Sequence, residues 1–440
     1  MKNKPLLTLF ATVFLLASSS IVSAETLLQI YDLAKQNDHE YKVALASYLA
    51  NREAKNIARG ALLPQLSLEG SYIDEDTDTE SPNEGLAVDT DTETTSYNVR
   101  LEQAIINFNA LNNFRSGKST SNAAEAQLKA DEQSLIIRSS EAYFNVLRAI
   151  DQLRTSKSVE KALATQLEQT QQRYEVGLIS INDVYEVQAG YDSSLANRLD
   201  AEVNVGLQLE ALAIITGQNH QRIAPLKDNF EATLPSPNDK QAWIESAQKN
   251  NSSLQVSRFN AEAARFDAKA AKADRLPTLA GSISYENRDR EIDSGENDTD
   301  SDITTARIDL SFPLFRGGTL TASQRQAEQT SIFLRQQFLL DQRNTIQNTR
   351  SLFLSVTTDI AQIKARKQAI ISGQSALQAT QAGYEAGTRD IVDVVNAQRN
   401  LFEAQSEYFT ALYDYIINIL LLKEVAGGLS VEDLQALETW

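Results

Sequence analysis

The chain has 440 residues and a formal net charge of −18, too long for one ordinary domain and too acidic for a nucleic-acid partner, since its field repels phosphate. It contains no cysteine, which excludes disulfides, thiolate nucleophiles, cysteine-ligated metals and a lipidated N-terminal cysteine. Two histidines, His39 and His220, leave almost nothing for a histidine metal site, and no cofactor is expected.

The first residues read as a secretory signal. Lys2 and Lys4 form a positive n-region, Leu6 to Ala17 an apolar h-region, and Val22-Ser23-Ala24 a small-residue cleavage site. Residues 1–24 are therefore expected to be removed, leaving Glu25 first and taking the net charge from −18 to −20. Beyond that point no run reaches the ~18 apolar residues of a spanning helix. The mature chain is then either soluble outside the cytoplasm or membrane-spanning as a barrel.

The predicted elements follow in order. Strands at about 62–72 and 96–104 carry period-two alternation, with Leu66, Leu68, Gly70 and Tyr72 set against Ser67, Glu69 and Ser71. Long helices are predicted at about 116–175 and 181–216, in a proline-free stretch of good helix formers. At ~1.5 Å per residue the first would run on the order of 90 Å, which no compact globule holds. A proline-bearing linker at 225–240 leads to strands at about 278–286 and 304–313, then helices at about 320–385 and 390–426. In the third long helix Phe353, Val356, Ile360, Ile363, Lys367 and Ile370 mark a coiled-coil-like seam.

The plan thus occurs twice. Leu62-Leu63-Pro64-Gln65-Leu66 returns as Arg275-Leu276-Pro277-Thr278-Leu279, and Arg173-Tyr174-Glu175-Val176-Gly177 returns 210 positions later as Gly383-Tyr384-Glu385-Ala386-Gly387. A period so long marks a duplicated half-molecule (25–224 and 241–440), not a solenoid. Alternating segments of this kind fit transmembrane barrel strands or half-buried soluble hairpins. Four strands cannot close a barrel alone, but several chains contributing four each can. Residues 73–95, with nine acids and no Lys or Arg, and 286–303, with eight acids, are expected to be solvated mobile loops.

The two glycine turns concentrate the remaining signal. Gly177 and Gly387 suit the left-handed residue that ends a helix. Ser180 and Asp390 suit the next N-caps, with Asp183 and Asp393 at the third helical position. Arg389 is a cation at a helix start, where the dipole disfavours it. It therefore needs a partner, and Asp183, on the equivalent turn or on a neighbouring chain's turn, is the candidate.

Leu62-Leu63-Pro64-Gln65-Leu66, Ala142-Tyr143-Phe144-Asn145-Val146-Leu147, Val176-Gly177-Leu178 and Gly387-Thr388-Arg389 followed by Ile391-Val392-Asp393-Val394 resemble, in order and duplicated, the outer-membrane efflux proteins. The resemblance spans Glu25 to about Leu434. It implies an α+β membrane protein, a homotrimer whose strands close a twelve-stranded outer-membrane barrel above a long periplasmic α-helical barrel. It implies further that the glycine turns are periplasmic tips, with Gly177, Leu178, Gly387 and Thr388 available for adaptor docking. By the same resemblance Gln166, Asp183, Tyr384 and Arg389 match a latch that holds the tip shut, and Asp393 lines its constriction. Asn396 stands where the family often has a second aspartate, which halves the acidic ring. The implied role is a passive exit duct for tripartite efflux or type I secretion. Its implied partners are a periplasmic adaptor (membrane fusion) protein, an inner-membrane pump of RND, ABC or MFS type, and outer-membrane lipid.

Two alternatives remain, a porin without pump partners and a periplasmic coiled-coil scaffold. An enzyme is not expected, because the chain has no Gly-x-Ser-x-Gly, no P-loop and no metal-spaced histidines.

Overall fold

The computed structural model describes residues 24–80, 87–227, 230–293 and 298–439. The expected signal segment, apart from Ala24, lies outside them. Among the described residues no helix is long and apolar enough to cross a membrane.

Three short helices open the chain, α1 (Leu27–Asn37), α2 (His39–Asn51) and α3 (Ala54–Gly60). Strands β1 (Gln65–Glu80) and β2 (Ala87–Ile106) follow, then α4 (Phe108–Glu175) and α5 (Ile181–Thr216). The second half repeats the plan with α6 (Lys240–Asn250), α7 (Ser252–Ala273), β3 (Thr278–Ile292), β4 (Thr299–Ser311), α8 (Thr319–Glu385) and α9 (Ile391–Val425), and α10 (Val431–Thr439) closes it. α4 has 68 residues, so it runs about 100 Å at ~1.5 Å per residue. It starts earlier than the composition suggests because the Asn107 side chain caps it, accepting from the Ala110 amide at 2.9 Å.

The four strands form one antiparallel sheet in the order β1-β2-β3-β4, so the two halves meet at β2 and β3. Its register stacks apolar residues in rows on one face. Leu68 faces Val99 and Val99 faces Tyr285, while Leu66 faces Leu101 and Leu101 faces Ile283. Many of these side chains are open to solvent in the single chain, with Leu66 at 73% and Leu310 at 72% exposure. On β1 the same face changes from Leu66, Leu68, Gly70 and Tyr72 to Asp74, Asp76 and Asp78. The apolar part covers about 20 Å at ~3.4 Å per residue, close to the apolar band of an outer-membrane barrel.

The acidic segments are a correction to the sequence reading. They are mostly ladder, not loop: β1 and β2 pair from Gln65↔Glu102 out to Glu80↔Ala87, and β3 and β4 out to Arg290↔Thr299. Backbone pairing continues because the acids alternate with β-prone threonines and their side chains project into water. Residues 81–86 and 294–297 lie outside the described residues.

The main core lies midway along the helices. Leu27, Ile30 and Tyr31 of α1 pack with Leu135, Phe144 and Leu147 of α4, and with Tyr415, Ile416 and Leu420 of α9. Val356 and Ile363 of the expected α8 seam are buried there, with Phe353 and Ile360 packed against them. The linker is tied to this core, since the Tyr415 hydroxyl donates to the Thr233 carbonyl at 2.8 Å. At the start of the described chain, Glu25 bridges Ile223 in parallel, and its carboxylate contacts buried His220.

Candidate functional site

α4 and α5 form one antiparallel hairpin and α8 and α9 the other, and their turns lie together at the end of the molecule away from the sheet. Both turns close as the sequence indicates. Gly177 and Gly387 have φ of 76° and 73°. The Leu178 amide donates to the Arg173 carbonyl at 2.9 Å and Gly177 to Tyr174 at 2.8 Å, a Schellman closure. Thr388 repeats the first bond to Gly383 at 2.8 Å. Gly177, Leu178, Gly387 and Thr388 are all exposed, so the tip presents them to solvent.

The two N-caps differ. Ser180 and Asp183 form a reciprocal capping box, the Ser180 amide donating to Asp183 Oδ2 at 3.1 Å. Asp390 occupies the equivalent cap, but its side chain makes no capping bond. The Asp393 carboxylate is turned instead to Arg389, 3.5 Å away one turn earlier. Arg389, just before α9, is thus paired with an acid in the first turn of that helix. Among the described residues it makes no bond to Asp183, which is engaged by its own cap. Its stem packs where a side chain at Gly383 would sit, since a Cβ there would stand 2.7 Å from Arg389 Cγ. The first half has Arg173 at that position and Ile179 in place of Arg389, so the two substitutions accompany each other.

Tyr384 joins the hairpins. Its ring lies under the Arg173 guanidinium at 4.9 Å, a cation–π contact between α8 and α4. Burial raises its pKa, the Arg173 charge opposes that rise, and the Asp183 charge adds to it. The Tyr384 hydroxyl is buried without a well-formed hydrogen bond, with the Thr170 hydroxyl as a polar neighbour. Gln166 contributes its carbonyl, which accepts from Thr170 at 2.7 Å. Asn396 accepts from Arg399 at 3.0 Å. Beneath these polar groups, Val187, Ile391 and Val394 form a small buried cluster of their own, flanked by Leu167, Leu377, Tyr384 and Val395.

Sequence reasoning missed Arg173 and this cluster. The Arg-to-Gly difference between otherwise matching repeats was the available signal.

The arrangement is a pair of helical turns joined by a cation–π contact and a small apolar cluster, about 100 Å from a sheet with an apolar face. The model of the outer membrane efflux protein family matches residues 30–218 and 243–428. The chain belongs to that family. It is an outer-membrane protein extending into the periplasm. It is 35% identical over 435 residues to outer membrane protein TolC of Vibrio cholerae, covering 98% of this chain and 97% of that one. It is 28% identical to the alkaline protease secretion protein AprF of Pseudomonas aeruginosa, covering 99% and 91%. Among solved structures, CusC superposes with a TM-score of 0.80 at 17% identity over 92% of this chain and 93% of that one. The Campylobacter jejuni CmeC outer membrane channel gives 0.79 at 18% identity, over 92% and 86%.

Proposed function

We propose that this protein is the outer-membrane exit duct of tripartite efflux pumps, type I protein secretion, or both. The observation that carries the reading is the sheet. One face bears an apolar band across the strands, and among the described residues the outer edges of β1 and β4 have no partner strand. Such edges are not tolerated in lipid, and three copies placing four strands each into one closed barrel satisfy them. The homotrimer then continues as a helical barrel through the periplasm, each chain contributing two repeats, 25–224 and 241–440, joined by the 225–240 linker after loss of residues 1–24.

In this reading the tip is the gate. Asp393 and Asn396 line its constriction, with Asp393 as the acidic member. Gln166, Asp183, Tyr384 and Arg389 form the latch. Gly177, Leu178, Gly387 and Thr388 meet a periplasmic adaptor. The adaptor opens the gate by binding the open tip more tightly than the closed one, and a differential of several kcal/mol suffices. An inner-membrane pump supplies the energy, and the duct itself catalyses nothing.

Cell fractionation and deletion test the reading together. The protein should appear in the outer membrane as a heat-modifiable trimer, and its loss should raise intracellular accumulation of a pump substrate. A monomer in the periplasmic fraction would overturn the duct in favour of a coiled-coil scaffold. Outer-membrane trimers with large conductance and no pump dependence would favour a porin.

A further inference from the structure

The buried side chains of α9 nearest the tip step Ile391, Val394, Gln398 and Leu401, the spacing of a helix-packing seam. One of them is polar. Gln398 is 5% exposed, and its Oε1 is buried with no hydrogen-bond partner among the described residues. Its own chain buries it, so a neighbouring copy is not needed to explain its environment.

The duplication supplies an internal control. The residue 210 positions earlier is Gln188, which is only partly buried and donates to Asp192 at 2.9 Å. The counterpart of Asp192 is Phe402. The second half has kept the amide and sunk it into the seam, where Phe402 offers its Nε2 no acceptor and its Oε1 finds no donor among the described residues. A buried carbonyl oxygen without a donor destabilises the packing around it.

Its location gives that weakness a use. On the tip side lies the small Val187, Ile391 and Val394 cluster. On the other side the main core resumes only at Ile363 of α8 and Leu412 of α9. Between them the helices touch through glycine: a Cβ at Gly373 would stand 3.5 Å from Leu401 Cδ1 and 3.6 Å from its Cα. Facing α4 and α5, α9 borders a cavity of about 640 Å³ lined by Gly190, Ser193, Asn197, Asn396 and Arg399.

We propose that Gln398 is a positioning residue at a hinge in the second hairpin. Its unpaired carbonyl makes the seam between Val394 and Leu401 the weak point of α9, so that the tips of α8 and α9 move as one lever away from α4 and α5. The inference rests on the gated-duct reading and deepens it, because it states where the gate's moving part joins its fixed part.

The test uses the purified full-length protein carrying Gln398→Met, and separately Gln398→Leu, each alone and combined with Arg389→Ser. Apolar side chains of similar size remove the unpaired carbonyl without opening a cavity. Amide exchange across residues 394–402 should slow about tenfold, the scale of one buried polar group left unpaired. In planar bilayers either substitution should return the enlarged conductance of Arg389→Ser toward the wild-type step. Unchanged exchange in both folded variants, or slowed exchange with no fall in the Arg389→Ser conductance, overturns the hinge and leaves the duct intact. No pore from the wild type overturns the duct and the hinge with it.

Discussion

Val394→Ala separates gate packing from overall stability. Val394 and Val187 are fully buried, Ile391 is 1% exposed, and together they form a cluster distinct from the main core. The substitution removes two methyl carbons, about 1.6 kcal/mol at ~0.8 kcal/mol per buried carbon, and the remaining cavity brings the cost to about 2 kcal/mol. That multiplies tip opening by about thirtyfold in each copy, since ~1.4 kcal/mol is a factor of ten. The global melting temperature should barely move, because the main core is untouched. Two readouts on one sample decide it, single-channel conductance in planar bilayers and thermal unfolding of the trimer. Larger conductance with an unchanged melting temperature is expected. A lower melting temperature with unchanged conductance would refute the claim that this cluster holds the tip.

Other expected outcomes reach different parts of the molecule. Arg173→Ala removes the cation over Tyr384 and should loosen the tip by about 0.5–2 kcal/mol, seen as more frequent large conductance steps; identical gating would refute the contact's role. Asp151→Ala should destabilise the chain by about 1–3 kcal/mol in chemical denaturation, because the buried Tyr413 hydroxyl, which donates to Asp151 at 2.6 Å, loses its acceptor. Burial, and then the Glu141 charge, raises the Glu424 pKa, and burial raises that of Glu141. Such carboxyls bind protons more readily folded than unfolded, so their contribution is full below the ordinary carboxylate pKa and is lost as pH rises through the raised values. Glu424→Gln should therefore raise the melting temperature at about pH 8 and leave it nearly unchanged near about pH 4; an equal shift at both would refute the assignment.

The period-two strands, the long helices and the glycine turns were legible because each depends on local chemistry. Gly177 and Gly387 announce left-handed helix ends, and Ser180 with Asp183 announces a cap, whatever the rest of the chain does. The strand ends were not legible, since acid-rich composition argues for loop while threonine and backbone pairing sustain the ladder from Asp74↔Glu93 to Asp78↔Asp89. At the tip, sequence pointed Arg389 to Asp183, whereas within the chain it pairs with Asp393. That pairing depends on Gly383 leaving room for the arginine stem. Arg173 over Tyr384, and the unpaired carbonyl oxygen of Gln398, are products of tertiary packing. Each shows in the sequence only as a mismatch between two repeats that otherwise agree.

Single-channel conductance of the purified protein, wild type beside Arg389→Ser, tests the central claim most directly. Small, stable wild-type steps that enlarge in the variant are expected of an export duct held shut at its periplasmic tip. Large steps already present in the wild type and unchanged by Arg389→Ser would contradict a closed gate, and no pore in either protein would contradict the duct.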